Sequence, residues 1–214
     1  MTMSPAIDGF RYQRLPGHDG IELNVASGGS GPAIVLLHGF PQTHIMWRDV
    51  ARDLVADHTV IVPDLRGYGD SGQPPEADET TYSKRTMAAD IVAIVKVLGH
   101  DSFGVVGHDR GALVGVRAGL DHPDRVRFLG ILDVLPTLDT WGVLKGVDAK
   151  VAWHLYLMAQ PVGLPEKMIK AVAEDFFTSF LDAWDTDDCD RLIWPHRDGL
   201  IWPHWRLAGV VVTV

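Results

Sequence analysis

Polar and apolar residues alternate from Gly9 to Leu15 and again from Ile21 to Ser27, on either side of the turn-forming run Pro16-Gly17-His18-Asp19-Gly20. A period of two puts every second side chain on one face, so these segments predict an antiparallel β-hairpin at a sheet edge. Ala33 to Leu37, Thr59 to Pro63, Phe103 to Val106 and Phe128 to Leu132 are instead short apolar runs without alternation. Such runs suit strands covered on both faces, which belong to a parallel sheet. Between them, apolar positions recur at every third or fourth residue in Ile45 to Ala56, Tyr82 to Leu98 and Ala112 to Leu120, the spacing of helices. Strand and helix alternate, so the fold class is α/β, a mostly parallel sheet with an N-terminal antiparallel hairpin.

The strand rhythm stops at Asp139. Up to Asp182 the pattern predicts two or three helices carrying Trp141, Trp153, Tyr156, Phe176 and Phe177. Two readings are open: an inserted helical cap over the ligand crevice beyond the C-terminal ends of the strands, or ordinary core helices. After Asp185 the character changes again. Leu192-Ile193-Trp194-Pro195-His196 is nearly repeated as Leu200-Ile201-Trp202-Pro203-His204, a spacing too short for a solenoid and suggestive of local duplication or a disturbed reading frame. Val210 to Val214 is a candidate final strand. The expected organisation is a core over residues 1–138, a helical cap over 139–184 and a divergent segment over 185–214.

Length and charge narrow the function. A chain of 214 residues buries one sizeable core but not two. Its net charge of −9 disfavours binding to a phosphate backbone, which needs clustered Lys and Arg, so nucleic acid is not an expected partner. The single cysteine, Cys189, allows neither an internal disulfide nor a cysteine metal cage, in keeping with a reducing compartment. Neither a signal-peptide pattern nor an apolar run of membrane-spanning length is read in the sequence, so the expected location is the cytoplasm, away from membranes. A small molecule is the expected partner, with a homodimer left open.

Candidate chemistry centres on Val105-Val106-Gly107-His108-Asp109-Arg110-Gly111, where an apolar strand runs into a helix through Gly-x-Asp-x-Gly. This is the pattern of a nucleophile elbow with Asp109 at its apex; the glycines allow strand and helix to approach closely. The backbone N–H of Arg110 can face developing negative charge, and His38-Gly39-Phe40-Pro41, after the third strand, offers the N–H of Phe40 as a second donor. The competing structural reading makes Asp109 a helix N-cap. An ordinary serine esterase is disfavoured because Ser71 and Ser102 lie outside the elbow. His100, His108 and His122 form no convincing metal-ligand set and read as surface or supporting residues.

Together with His38-Gly39-Phe40-Pro41-Gln42, Asp64-Leu65-Arg66-Gly67-Tyr68-Gly69-Asp70-Ser71, Leu120-Asp121-His122-Pro123, Leu132-Asp133-Val134-Leu135-Pro136-Thr137, Trp153-His154 and Gln160-Pro161, the elbow resembles the Asp-nucleophile α/β-hydrolases. Within them it is similar to the haloacetate (fluoroacetate) dehalogenases, with epoxide hydrolases as near relatives; the resemblance runs from Gly9 to Trp184. It implies that Asp109 attacks an sp3 carbon and forms an alkyl-enzyme ester, which water then cleaves with its oxyanion on the Phe40 and Arg110 amides. By the same resemblance Asp133 orients the histidine base, against the alternative of a buried loop-capping Asp. Arg110 would grip the substrate carboxylate and His154 the halide, with Trp153 and Tyr156 beside it on the cap. Leu113 stands where those dehalogenases carry a second carboxylate-binding arginine, and Leu155 where they carry a halide-contacting tryptophan. An epoxide hydrolase would use cap tyrosines, of which this stretch offers Tyr156. The mechanism requires no metal or organic cofactor.

In this family the triad runs nucleophile, acid, histidine. The resemblance fades after Trp184, and the late histidines His196 and His204 each follow a proline beside tryptophans, so neither is expected to be the base. The sequence therefore reads as a truncated or frame-disturbed member whose sheet lacks its last strands. A non-catalytic small-molecule-binding remnant remains the alternative to an enzyme.

Overall fold

The computed structural model describes residues 6–74, 77–135, 139, 153–161, 163–184 and 210–212. The hairpin forms where the alternation placed it: β1 (Arg11–Pro16) pairs antiparallel with β2 (Glu22–Gly28). The apolar runs become β3 (Ala33–Leu37), β4 (Thr59–Pro63), β5 (Phe103–His108) and β6 (Val126–Leu132). They lie in one sheet of order β1-β2-β4-β3-β5-β6-β7, with β4, β3, β5 and β6 parallel. The short β7 (Val210–Val212) pairs antiparallel with β6, from Leu129 opposite Val212 to Ile131 opposite Val210. A strand was expected there, and it covers part of the β6 edge.

Both faces of the central strands are buried. Val35, Leu37, Ile61 and Val105 pack with Met87, Ile91 and Ile94 of α2 (Lys84–Val97) and Val114 and Ala118 of α3 (Arg110–Asp121). Ile34, Leu36, Val60 and Val62 face the other way, toward Ile45, Trp47 and Ala51. The helix expected from Ile45 starts instead as a 3-10 turn at His44–Trp47 before α1 (Arg48–Leu54). The turn buries His44, Ile45 and Trp47 together, a set that the 3.6-residue spacing does not anticipate.

The chain divides into two compact units. One runs through Val134 and includes β7; the other begins at Leu135, four residues before the expected boundary, just after β6 ends. The second carries α4 (Trp153–Met158), α5 (Leu164–Ala171) and α6 (Ala173–Trp184). Trp141, Cys189, His196, His204 and the near-repeat lie outside the described residues. No helix among the described residues is long and apolar enough to cross a membrane.

Candidate active site

Strand order reverses between β3 and β5, since the chain passes from β3 to β4 on one side and returns to β5 on the other. Loops diverge at such a switch point and leave a crevice at the C-terminal strand ends. Phe40 follows β3 there, and Asp109 follows β5. Asp109 adopts φ 47° and ψ −118°, a strained conformation for a residue with a Cβ. Surrounding bonds hold it: its N–H donates to Leu132 O (3.0 Å), and its carbonyl accepts from Ala112 N (3.0 Å). Its side chain makes no capping bond to α3, so the N-cap reading is not what the geometry uses. Instead Asp109 Oδ2 accepts a 2.9 Å hydrogen bond from the backbone N–H of Phe40.

Glycine makes this approach feasible. A Cβ on Gly39 would lie 2.6 Å from Asp109 Cβ and 2.9 Å from Asp109 Oδ2, and one on Gly111 would overlap the carbonyl oxygens of Leu37 and His38. The guanidinium of Arg110 sits 5.4 Å from the centre of the Phe40 ring, within cation–π range. Tyr68 is pushed above the usual tyrosine range, first by burial.

The loop carrying Phe40 is pinned at both ends. His38 Nδ1–H donates to Gly39 O (2.9 Å) while its Nε2 accepts from Leu65 N (3.0 Å), an arrangement that suits a neutral imidazole. Burial also lowers the His38 pKa. At the other end, buried Asp64 accepts four hydrogen bonds: from His44 N (2.8 Å) and His44 Nδ1 (2.9 Å) on Oδ1, and from Asn24 Nδ2 (2.9 Å) and Asp70 N (3.1 Å) on Oδ2. Burial alone would raise the Asp64 carboxyl, but the bonds and charge of His44 outweigh it and hold the group well below the usual carboxylate range. The Asp64 to Ser71 stretch thus anchors the loop that carries Phe40, a role its sequence did not reveal.

Asp133 follows β6 with φ 54°. Its side chain is 66% exposed, which removes the reading of a buried loop cap, and its Oδ2 lies 3.7 Å from His108 Nε2. His108 is buried rather than on the surface, and that burial lowers its pKa against the opposing charges of Asp109 and Asp133. The first unit therefore brings together Phe40, Asp109, Arg110 and Asp133. Trp153, His154 and Tyr156 belong to the second unit. There the Trp153 ring stacks on Phe180 (5.6 Å between centres, 11° between planes), and His154 meets the same ring edge-on at 4.9 Å. Tyr156 is partly exposed. Among the described residues no group of three or more His, Cys, Asp or Glu is gathered to hold a metal ion.

Sequence reasoning passed over one residue near this geometry. Lys84, the first residue of α2, is half-buried, and the charges of Arg110 and Asp109 both act on it. A helical pattern gives a lysine at a helix start no distinction from any solvated residue.

The chain is similar to known proteins. The chain is 42% identical over 184 residues to a fluoroacetate dehalogenase from Burkholderia sp, covering 86% of this chain and 60% of that protein. It is 45% identical over 131 residues to a soluble epoxide hydrolase from Corynebacterium sp., covering 61% of this chain and 43% of that one. A solved structure from Nostoc sp PCC 7120, assigned to the α/β hydrolases, matches with TM-score 0.80 at 39% identity, over 86% of this chain and 63% of that one. The chain thus spans about 60% of the length of the Burkholderia dehalogenase. The family model for the alpha/beta hydrolase fold matches residues 32–156, more than half of the chain, and in agreement with the sheet order and the elbow the chain belongs to that family.

Proposed function

We propose that Asp109 is the nucleophile of a hydrolase that displaces halide from a small haloacid through an alkyl-enzyme ester. The observation that carries this reading is the Phe40 N–H bond to Asp109 Oδ2 at a strained elbow, a carboxylate already seated against an oxyanion donor. The free oxygen attacks the carbon bearing the halogen, the carbon–halogen bond breaks, and halide leaves with the bonding pair. Water then adds to the ester carbonyl, whose oxyanion rests on the amides of Phe40 and Arg110, and the alcohol departs with the carboxylate restored. Asp133 is the carboxylate that would orient the base taking the proton from water, a role for which the sequence offers no assigned histidine. Arg110 grips the substrate carboxylate, and Trp153, His154 and Tyr156 are the candidates for the halide. The similarity to the Burkholderia dehalogenase over most of the chain supports this reading.

The epoxide-hydrolase matches support a second reading, in which the same Asp109 opens a neutral epoxide and Tyr156 protonates the departing oxygen. The deciding experiment is the intact mass of the chain after incubation with chloroacetate, styrene oxide or buffer, beside an Asp109→Ala control. An adduct or turnover with chloroacetate on the parent alone is the expected result. Reaction only with the epoxide selects the second reading, and reaction with neither favours a non-catalytic binding remnant.

A further inference from the structure

Asp109 after β5 and Asp133 after β6 stand at the C-terminal ends of adjacent parallel strands, and both carry a positive φ, 47° and 54°. Such backbone is uncommon for a residue with a Cβ and persists where neighbouring bonds fix it. The strand register sets His108 opposite Leu132, and the Asp109 N–H donates to Leu132 O (3.0 Å), so the peptide before Asp133 is tied directly to the elbow. The Asp133 side chain is 66% exposed, and a carboxylate in that situation ordinarily samples several rotamers. One group of the elbow strand reaches it. His108 Nε2 lies 3.7 Å from Asp133 Oδ2, just beyond hydrogen-bond length and within ion-pair range, while the His108 side chain is only 8% exposed. On its other side, His108 Nδ1 is 3.0 Å from where a Cβ on Gly39 would stand, a point that is also 2.9 Å from Asp109 Oδ2. The imidazole is therefore wedged between the loop after β3 and the end of β6. Asp109 at the head of α3 and Asp133 both act on its charge, and that charge acts in turn on His38 at the end of β3. Burial keeps the ring predominantly neutral at pH 7, and with Nε2 turned toward a carboxylate, which only accepts, the Nε2–H tautomer suits the pair.

We propose that His108 is the positioning residue for Asp133, the wedged ring directing its Nε2–H at the exposed carboxylate and holding it in one orientation at the end of β6. This assignment rests on the reading of Asp133 as the carboxylate that orients a base. His108 acts only through Asp133 and is not itself the base. A buried ring with few alternative positions is a fixed reference against which an exposed side chain can be set, and protonation of the ring would add a full charge and tighten the hold.

NMR on the isotopically labelled 214-residue chain tests this without any substrate. Nitrogen shifts of the neutral His108 ring are expected to report the Nε2–H tautomer, and three-bond Hα–Hβ couplings a single Asp133 rotamer. His108→Phe should average those couplings, and His108→Gln, whose amide keeps a donor, should restore most of the order. Asp133→Asn lies at an exposed side chain, and Asn tolerates the positive φ, so this variant keeps the fold. It should shift the His108 titration midpoint down by about half a pH unit or more, because it removes a charge that favours the imidazolium. An Asp133 side chain that already averages among rotamers in the parent would overturn the assignment, as would a His108 midpoint unmoved in Asp133→Asn. The chloroacetate adduct on Asp109 is read separately. Its absence would overturn the haloacid reading, while the NMR couplings still decide whether His108 holds Asp133.

Discussion

Asp64→Asn removes one charge and almost no volume from the anchor of the loop that carries Phe40. The carboxylate uses all four of its acceptor positions, two toward His44 and two toward Asn24 and Asp70. An amide has one acceptor oxygen, so whichever way the substituted side chain turns, its NH2 group faces a pair of donors. Turned toward Asn24, the conflict is softened if Asn24 flips its own amide, but the Asp70 N–H is still left without its acceptor. One orphaned buried donor, plus the weakening of the remaining charge-assisted bonds to neutral ones, gives a cost of about 2–4 kcal/mol. Urea unfolding followed by tryptophan fluorescence measures it, since Trp47 is buried in the core three residues after His44. The pH dependence provides an independent check. Because the folded-state pKa is depressed, the contribution of Asp64 is complete above its unfolded value of about 4 and is lost as pH falls below it. The gap between parent and variant should therefore be widest near neutrality and narrow under acid. A variant within about 0.5 kcal/mol of the parent at pH 7, or a gap that does not narrow below pH 4, would refute this account of the anchor.

Gly39→Ala places a methyl group against the Asp109 carboxylate, which must rotate away from Phe40 N. Adduct formation with chloroacetate should fall by about a hundredfold while the far-ultraviolet spectrum is retained. Gly111→Ala meets backbone carbonyls of β3 and its loop instead of a movable side chain, so it should cost more than about 3 kcal/mol in urea unfolding. Lys84→Met relieves a partly buried charge and should raise stability by about 1–2 kcal/mol at pH 7, the remaining solvent access keeping the gain this small. With the folded value near 8 and the unfolded one at 10.5, the parent binds fewer protons folded than unfolded between them and gains stability as pH rises. The advantage of the methionine variant should accordingly shrink above pH 8.

The central strands were legible because an unbroken apolar run such as Ala33 to Leu37 has one economical place, between two covered faces, and Leu36 and Leu37 are both fully buried on opposite sides. The elbow was legible for a similar reason: Gly107 and Gly111 record, as missing side chains, a close contact between strand and helix. Asp133 was singled out through resemblance, and its exposure was not foreseen from the apolar strand before it. The Asp64 anchor was hidden because its partners lie 20 residues away at His44 and 40 at Asn24, beyond any local period. The same is true of the buried Arg66–Asp90 pair, at 2.6 and 2.7 Å across 24 residues. Lys84 escaped notice because its character comes from burial and from charges on another helix, and neither is written into its neighbours in sequence.

The hydrogen bond from Phe40 also makes the two oxygens of Asp109 inequivalent. Oδ2 is committed to that amide, whereas Oδ1 accepts no hydrogen bond from another described residue. Under the proposed chemistry Oδ1 forms the bond to carbon, Oδ2 remains as the carbonyl, and the first product molecule leaves carrying an atom of the protein. In heavy-oxygen water the isotope would therefore be stored at residue 109 after one turnover and appear in the released hydroxyl only from the second.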